Sequence, residues 1–173
     1  MSTRPRIGVT QRQVAVPGRD ELRDALDVRL PALLWDLGFV PVPLANRIPD
    51  PRTYLDALAL DGLVLSGGDD PGVTPERDRF EAAALDHAEA AALPVLAVCR
   101  GLQVLNLRAG GRLRPVDGHV ATRHEVRGVL APDGTVEAVR HANLPWTGVL
   151  WHPERDDPTD PADRALLRAV LAP

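Results

Sequence analysis

Short apolar runs alternate with helical patterns along most of the chain. The segments 63–65 and 95–98 contain only apolar residues, and a pattern of helical period follows each of them. Continuous apolar runs are typical of strands that are buried on both faces, as in a parallel sheet covered by helices. The pattern therefore predicts an α/β fold with a mostly parallel central sheet and helices on both faces.

The remaining elements follow from the same patterns and from turn residues. We expect further strands over 6–10, 39–44, 112–116, 135–139 and 148–151, with 39–44 at a sheet edge because it contains two prolines. Helices are expected over 20–38, 54–60, 76–92, 102–109 and 160–171, with a break at Pro31 left open in the first of them. Asp160 is expected to cap the last helix, with Pro161 at its first position.

Length and composition restrict the class of protein. The 173 residues fit one domain over 1–173, and 45% hydrophobic with 25% charged residues is ordinary for a globular protein. The sequence contains no apolar run long enough for a membrane span and no signal-peptide pattern, so we expect a cytoplasmic protein without membrane contact. A net charge of −4 argues against nucleic acid as a partner.

Cys99 is the only cysteine of the chain, and it stands between the apolar run 95–98 and a helical pattern. A helix N-terminus contributes partial positive charge and unpaired N–H groups, which favour a thiolate and can bind an oxyanion. Gly101 suits a sharp turn from strand to helix. This arrangement predicts a nucleophile elbow with cysteine in the usual place of serine, whereas the alternative is a buried structural cysteine.

His152 and Glu154 follow another expected strand and are separated by one proline. A histidine base and a carboxylate that orients it are the partners that a cysteine nucleophile requires. A hydrogen-bonded surface histidine is the alternative interpretation of His152. The two features together favour a hydrolase with Cys99, His152 and Glu154 as its catalytic residues.

A glycine-rich segment, Leu-Ser-Gly-Gly-Asp-Asp-Pro at 65–71, follows the expected strand 63–65. The N–H of Gly68 and the N–H of Arg100 are candidates for an oxyanion hole. The alternative is a tight turn with a capping aspartate. A phosphate-binding loop is disfavoured because neither the Walker lysine nor the spaced glycines of a dinucleotide site follow.

Two charged segments remain. Arg77–Glu81 begins an expected helix, and such a run is usually a solvated face. The segment 117–125 contains two histidines, but their spacing of five does not place them on one helical face. We therefore expect no metal, and nothing in the sequence indicates a cofactor.

Taken together, these residues resemble the class I glutamine amidotransferase-like family. Val-Cys-Arg-Gly-Leu-Gln at 98–103 and Trp-His-Pro-Glu at 151–154 carry most of the resemblance. The glycine segment and Arg-Asp-Arg-Phe-Glu at 77–81 are similar to the gamma-glutamyl hydrolase branch. Further segments, including Ile-Gly-Val-Thr-Gln-Arg at 7–12, resemble enzymes that remove glutamate from gamma-glutamyl-CDP-amidate.

The resemblance implies a flavodoxin-like fold, a small gamma-glutamyl substrate and a glutamyl thioester on Cys99. It also implies that Gln103 and Gly67 contact the substrate. Relatives carry a segment with an Asn-Ser-Phe-His-type motif and a helix before the strand that corresponds to 134–139. This chain lacks that segment and runs from Arg127 almost directly into Ala131. Two alternatives therefore stay open: a glutaminase subunit with a synthetase partner, and a binding domain without catalysis.

Overall fold

A six-stranded sheet organises the computed structural model, which describes residues 4–114, 130 and 134–172. Five strands run parallel, and a sixth pairs antiparallel at one edge. In chain order the strands and helices are β1 Arg6–Val9, β2 Arg12–Ala15, β3 Leu22–Ala25, α1 Arg29–Asp36, β4 Val40–Pro43, α2 Pro51–Leu58, β5 Gly62–Leu65, α3 Pro75–Ala90, β6 Val95–Val98, α4 Arg100–Arg108, β7 Ala138–Arg140, β8 Trp146–Val149 and α5 Pro161–Leu171.

The order of strands across the sheet is β4-β1-β5-β6-β8-β7. Numbered by their succession along the chain, the five parallel strands follow the order 2-1-3-4-5, which is the flavodoxin-like arrangement. The expected fold class is thus confirmed, as is the edge position of β4. In folds of this kind, ligands bind outside the carboxyl ends of the strands, where the strand order reverses.

Alternate residues of the central strands face two separate hydrophobic clusters. Val64, Leu96 and Val98 pack with α1 and α5 on one face of the sheet. Leu63, Leu65, Val95 and Ala97 lie on the other face with α2, α3 and α4. This alternation is why runs with no polar residue form strands here, since both faces of each strand are covered.

The expected helix over 20–38 is wrong in its first part. Strand β3, which pairs with β2 in a hairpin, takes its place, and α1 starts only at Arg29. Pro31 lies in the first turn of α1, where a missing N–H costs little, so it causes no break. Leu22, which fitted the helical pattern, is 50% exposed on the hairpin. Pro17 and Gly18 form the turn between the two strands, and Gly18 has a positive φ of 74°.

Other boundaries differ by smaller amounts. No strand forms over residues 112–114, and the rest of the expected strand 112–116 lies outside the described residues, as do the segments 117–125 and 127–129. The last expected strands are shifted to β7 and β8. At α5 the expected cap is confirmed, because the Asp160 side chain accepts from the Ala162 N–H at 2.7 Å. Within the described part of the chain, no helix has the length and apolar character to cross a membrane.

Candidate active site

The turn at Cys99 joins the central strand β6 to α4. Cys99 has φ 52° and ψ −106°, a conformation that side-chain-bearing residues rarely adopt and that a sharp turn imposes. Its N–H donates to Val149 O at 2.7 Å, and its carbonyl accepts from the Leu102 N–H at 3.0 Å. The residue therefore belongs to the β6–β8 ladder and to the first turn of α4 at once. The strand–turn–helix geometry expected of an elbow is thus present, although α4 begins two residues earlier than the pattern indicated.

Gly101 allows the elbow to lie directly against β5. A Cβ at this position would lie 2.5 Å from Leu65 O and 2.8 Å from Leu65 Cβ, distances that a side chain cannot occupy. The backbone of the neighbouring strand leaves no room to move aside. Only glycine permits this close approach of α4 to the sheet.

His152 and Glu154 follow β8, the strand next to β6. Pro153 starts a short 3₁₀ turn over Pro153–Arg155, and this turn folds Glu154 back under the histidine. The His152 Nδ1 and Glu154 Oε1 atoms are 2.7 Å apart. Both side chains are largely buried, with 16% of the His152 side chain and 5% of that of Glu154 exposed. Two polar groups from a segment of three residues thus meet in a fixed orientation.

The charge state of His152 is shifted by its surroundings. Burial lowers the pKa of the ring, but hydrogen bonding to Cys99 and Glu154 and their negative charges outweigh it. The pKa is raised from its ordinary 6.5 to about 9. Because Glu154 occupies Nδ1, Nε2 is the ring nitrogen left for the Cys99 sulfur. The structure thus pairs His152 with Glu154 just after β8, and Cys99 follows the adjacent parallel strand β6 at the same edge.

The glycine segment after β5 faces the same edge. A Cβ on Gly67 would lie 2.5 Å from His152 Cε1, so the Gly67 backbone lies against the imidazole ring. Gly68 has a φ of 144°, which favours glycine. Ser66 ties the segment to Thr10, the residue directly after β1: its N–H donates to Thr10 Oγ1 at 3.0 Å, and its hydroxyl donates to Thr10 O at 2.6 Å.

Two backbone N–H groups at this edge lack an acceptor among the residues that the structure describes. They belong to Gly68, in the glycine segment, and to Arg100, at the first position of α4. Gln103 lies one turn into α4, and its buried Oε1 likewise has no partner in the described chain. N–H donors and an amide acceptor are therefore left available beside Cys99.

The expectation for Arg77–Glu81 as a solvated face is wrong for three of its five residues, because Arg77, Phe80 and Glu81 are buried. The Arg77 and Glu81 side chains are 1% and 0% exposed and form an ion pair with 2.8 Å between Arg77 Nε and Glu81 Oε1. Glu81 and Asp78 also pair with the buried Arg100 guanidinium. A sequence signal existed, since arginine and glutamate four apart lie on one helical face. Their burial follows from partners at 66–67 and 100, which the helix pattern does not contain.

The flavodoxin-like sheet, with a cysteine elbow beside a histidine–carboxylate pair, defines a class I glutamine amidotransferase-like protein. The chain belongs to the peptidase C26 family, whose model matches residues 7–116. It is 28% identical to the gamma-glutamyl-CDP-amidate hydrolase of Campylobacter jejuni over 190 aligned positions, covering 87% of this chain and 90% of the relative. It is also 28% identical to the gamma-glutamyl-gamma-aminobutyrate hydrolase of Escherichia coli O157:H7, covering 78% of this chain and 80% of the relative.

A solved structure supports the fold alone. The crystal structure of a GMP synthase subunit from Thermoplasma acidophilum superposes with a TM-score of 0.61 at 18% identity. The superposition covers 99% of this chain and 94% of that protein.

The alignment with the amidate hydrolase spans 190 positions, which is more than the 173 residues of this chain, although only 87% of the chain is matched. The amidate hydrolase therefore contains residues that this chain lacks. This agrees with the expectation that this chain is shortened.

Proposed function

We propose that this protein is a cysteine-dependent hydrolase of gamma-glutamyl amides, which releases glutamate and an amine or amidate. The observation that carries the proposal is the position of His152. Glu154 holds its ring at 2.7 Å, and it follows β8, the strand whose Val149 carbonyl accepts from the Cys99 N–H. Flavodoxin-like sheets bind ligands at this edge. The two relatives that are hydrolases of gamma-glutamyl compounds support the substrate class. The amidate hydrolase matches the larger share of this chain and favours a gamma-glutamyl amidate.

In the proposed mechanism the Cys99 thiolate attacks the gamma-carbonyl carbon, and a C–S bond forms. The carbonyl oxygen gains the electron pair as an oxyanion, which accepts hydrogen bonds from the N–H groups of Gly68 and Arg100. When the intermediate collapses, the C–N bond breaks and the leaving nitrogen takes a proton from His152. Glu154 holds the ring in place and stabilises its positive charge.

A glutamyl thioester on Cys99 is the product of that first half. Water then attacks the thioester carbon while His152 accepts a proton from it. The C–S bond breaks, glutamate leaves and the thiolate is restored. Over the two halves, one water molecule is consumed for each amide bond broken. Gln103 and Gly67 are proposed to contact the bound glutamyl group. Gln103 Oε1, which has no partner among the described residues, would accept a hydrogen bond from it.

Glutamate release from a panel of gamma-glutamyl amides tests the function. The panel contains glutamine, gamma-glutamyl-gamma-aminobutyrate, gamma-glutamyl-p-nitroanilide and a gamma-glutamyl phosphoramidate, each offered to the parent and to Cys99→Ala. We expect release by the parent alone. Equal release by both proteins would remove Cys99 from the mechanism. Release from glutamine only after a synthetase is added would favour a glutaminase subunit, and saturable binding without release would favour a binding domain.

A further inference from the structure

The buried Arg77 guanidinium binds two backbone carbonyls of the glycine segment 65–71. Its Nη1 donates to Gly67 O at 3.1 Å, and its Nη2 donates to Ser66 O at 2.8 Å. The remaining nitrogen, Nε, donates to Glu81 Oε1 at 2.8 Å. A planar guanidinium that is bonded on every side has little freedom to turn, so the two carbonyls are fixed relative to α3.

The bond to Gly67 O determines where the next N–H points. In a trans peptide the carbonyl and the N–H lie on opposite sides of the chain. Because Gly67 O points at Arg77, the Gly68 N–H in the same peptide points away from Arg77. A Cβ on Gly68 would collide with Arg77 Nη1, so the guanidinium also packs directly against this residue.

Glu81 extends the same support to the elbow. Its two oxygens are shared between Arg77 and Arg100, and Arg100 immediately follows Cys99. Buried ion pairs contribute little net stability, because desolvation of the charges offsets their attraction. What such a network supplies is fixed geometry. Here it connects the Gly67–Gly68 peptide with the Arg100 side chain. The N–H groups of Gly68 and Arg100 are the two without an acceptor among the described residues.

We propose that Arg77 is a positioning residue that holds the Gly67–Gly68 peptide with the Gly68 N–H aimed at the reaction oxyanion, and that Glu81 couples this peptide to the elbow through Arg100. The inference rests on the proposed function, because it assumes that a carbonyl carbon is attacked by Cys99. It predicts that Arg77 affects reactions that develop an oxyanion and spares those that do not.

Two reactions of the single cysteine separate these cases. Iodoacetamide alkylates the thiolate by displacement of iodide, with no charge developing on an oxygen. p-Nitrophenyl acetate acetylates it through a tetrahedral oxyanion, with a new C–S bond and p-nitrophenolate as the leaving group. Neither reagent contains a glutamyl group. Both rates are measured for the parent, for Arg77→Lys and for Arg79→Lys, the same substitution at an exposed position of α3.

We expect acetylation of Arg77→Lys to be at least roughly tenfold slower than that of the parent, since loss of one oxyanion donor costs about 10²- to 10³-fold. Alkylation and its pH profile should match the parent, and Arg79→Lys should match it in both reactions. Equal loss of both reactions in Arg77→Lys, or loss of neither, would overturn the inference. If Arg77→Lys does not fold, Glu81→Gln takes its place with the same expectation, because it weakens the tie to Arg100.

The proposed function is tested separately, by measuring glutamate release from gamma-glutamyl amides by the parent protein. A parent that releases no glutamate, while Arg77→Lys loses acetylation selectively, would contradict that function and still support the role of Arg77. The ratio of acetylation rate to alkylation rate is also compared between Cys99 of the parent and a free thiol. Equal ratios would overturn the inference, because the parent would then have no oxyanion site.

Discussion

His152 Nδ1 lies 2.7 Å from Glu154 Oε1, and the two residues are separated only by Pro153. This contact orients the ring so that its other nitrogen remains for Cys99. It also places a negative charge beside the imidazole, which favours the protonated form. The pH dependence of the protein should therefore centre on this pair.

Protonation of His152 should contribute to folding stability. The pKa of about 9 in the folded chain lies above the ordinary 6.5. A group with a raised pKa stabilises fully below pH 6.5, progressively less as pH rises, and not at all above pH 9. A pKa difference of one corresponds to about 1.4 kcal/mol, so a decline of about 2–4 kcal/mol is expected over this window. Urea unfolding at a series of pH values measures it.

The control for this pH dependence is His152→Gln, which cannot gain the proton. Its free energy of unfolding should change less between pH 6.5 and 9 than that of the parent. Parallel curves for the two proteins would show that His152 titrates at its ordinary pKa and that the contacts with Cys99 and Glu154 do not favour its charge.

Gly67→Ala should impair the site by displacing His152. The new methyl group would overlap the His152 ring, with 2.5 Å between Cβ and Cε1. Because the ring is held by Glu154, the shift weakens its interaction with Cys99. We expect a marked fall in kcat for gamma-glutamyl amides and slower alkylation of Cys99 at neutral pH. In a His152→Ala background the methyl group has no ring to meet, so a further loss of the same size there would contradict this explanation.

Gln103→Ala should raise KM for gamma-glutamyl amides with little change in stability. The buried Gln103 Oε1 has no hydrogen-bond partner among the described residues. Removing this atom therefore breaks no hydrogen bond within the described part of the fold. An acceptor that bonds the substrate is worth about 1–3 kcal/mol, or about 5- to 150-fold in KM. Asn106→Ala is the control on the same helix, since the Asn106 side chain bonds only to Arg112 O among the described residues. A KM for Gln103→Ala equal to that of this control would show that Gln103 does not bind substrate.

Gly101→Ala should destabilise the fold, although alanine is normally the better helix residue. The added methyl group would meet Leu65 O at 2.5 Å, and strand β5 cannot yield without disturbing the sheet. Overpacking of this kind costs about 1–3 kcal/mol, which exceeds the gain of about 1 kcal/mol from helix propensity. Thermal unfolding of the variant and the parent measures the difference. A melting temperature equal to or above the parent's would contradict the close approach of α4 to β5.

The parts of the fold that the sequence predicts are those set by local pattern. Continuous apolar runs identify β5 and β6, and the single cysteine at the end of β6 identifies the elbow. The hairpin of β2 and β3 escaped prediction because its strands are short and solvated, so burial imposes no alternation on them. Leu22 and Ala25 then fitted a helical pattern as well as a strand.

The burial of Arg77 and Glu81 escaped prediction for a different reason. Charged residues are buried only when they are paired, and their partners here are two carbonyls after β5 and a guanidinium after β6. Those contacts join segments that are distant along the chain. The sequence of α3 contains the favourable spacing of four but cannot say which side faces the sheet.

A covalent glutamyl group on Cys99 tests the central claim most directly. The parent is mixed with gamma-glutamyl-p-nitroanilide, quenched in acid within the first turnover and measured by intact mass and by peptide mapping. We predict an added mass of one glutamyl group on the peptide that contains Cys99, its absence in Cys99→Ala, and its loss on incubation at neutral pH as glutamate appears. Glutamate release from the parent without any modified Cys99 peptide, at the same rate in Cys99→Ala, would contradict the account.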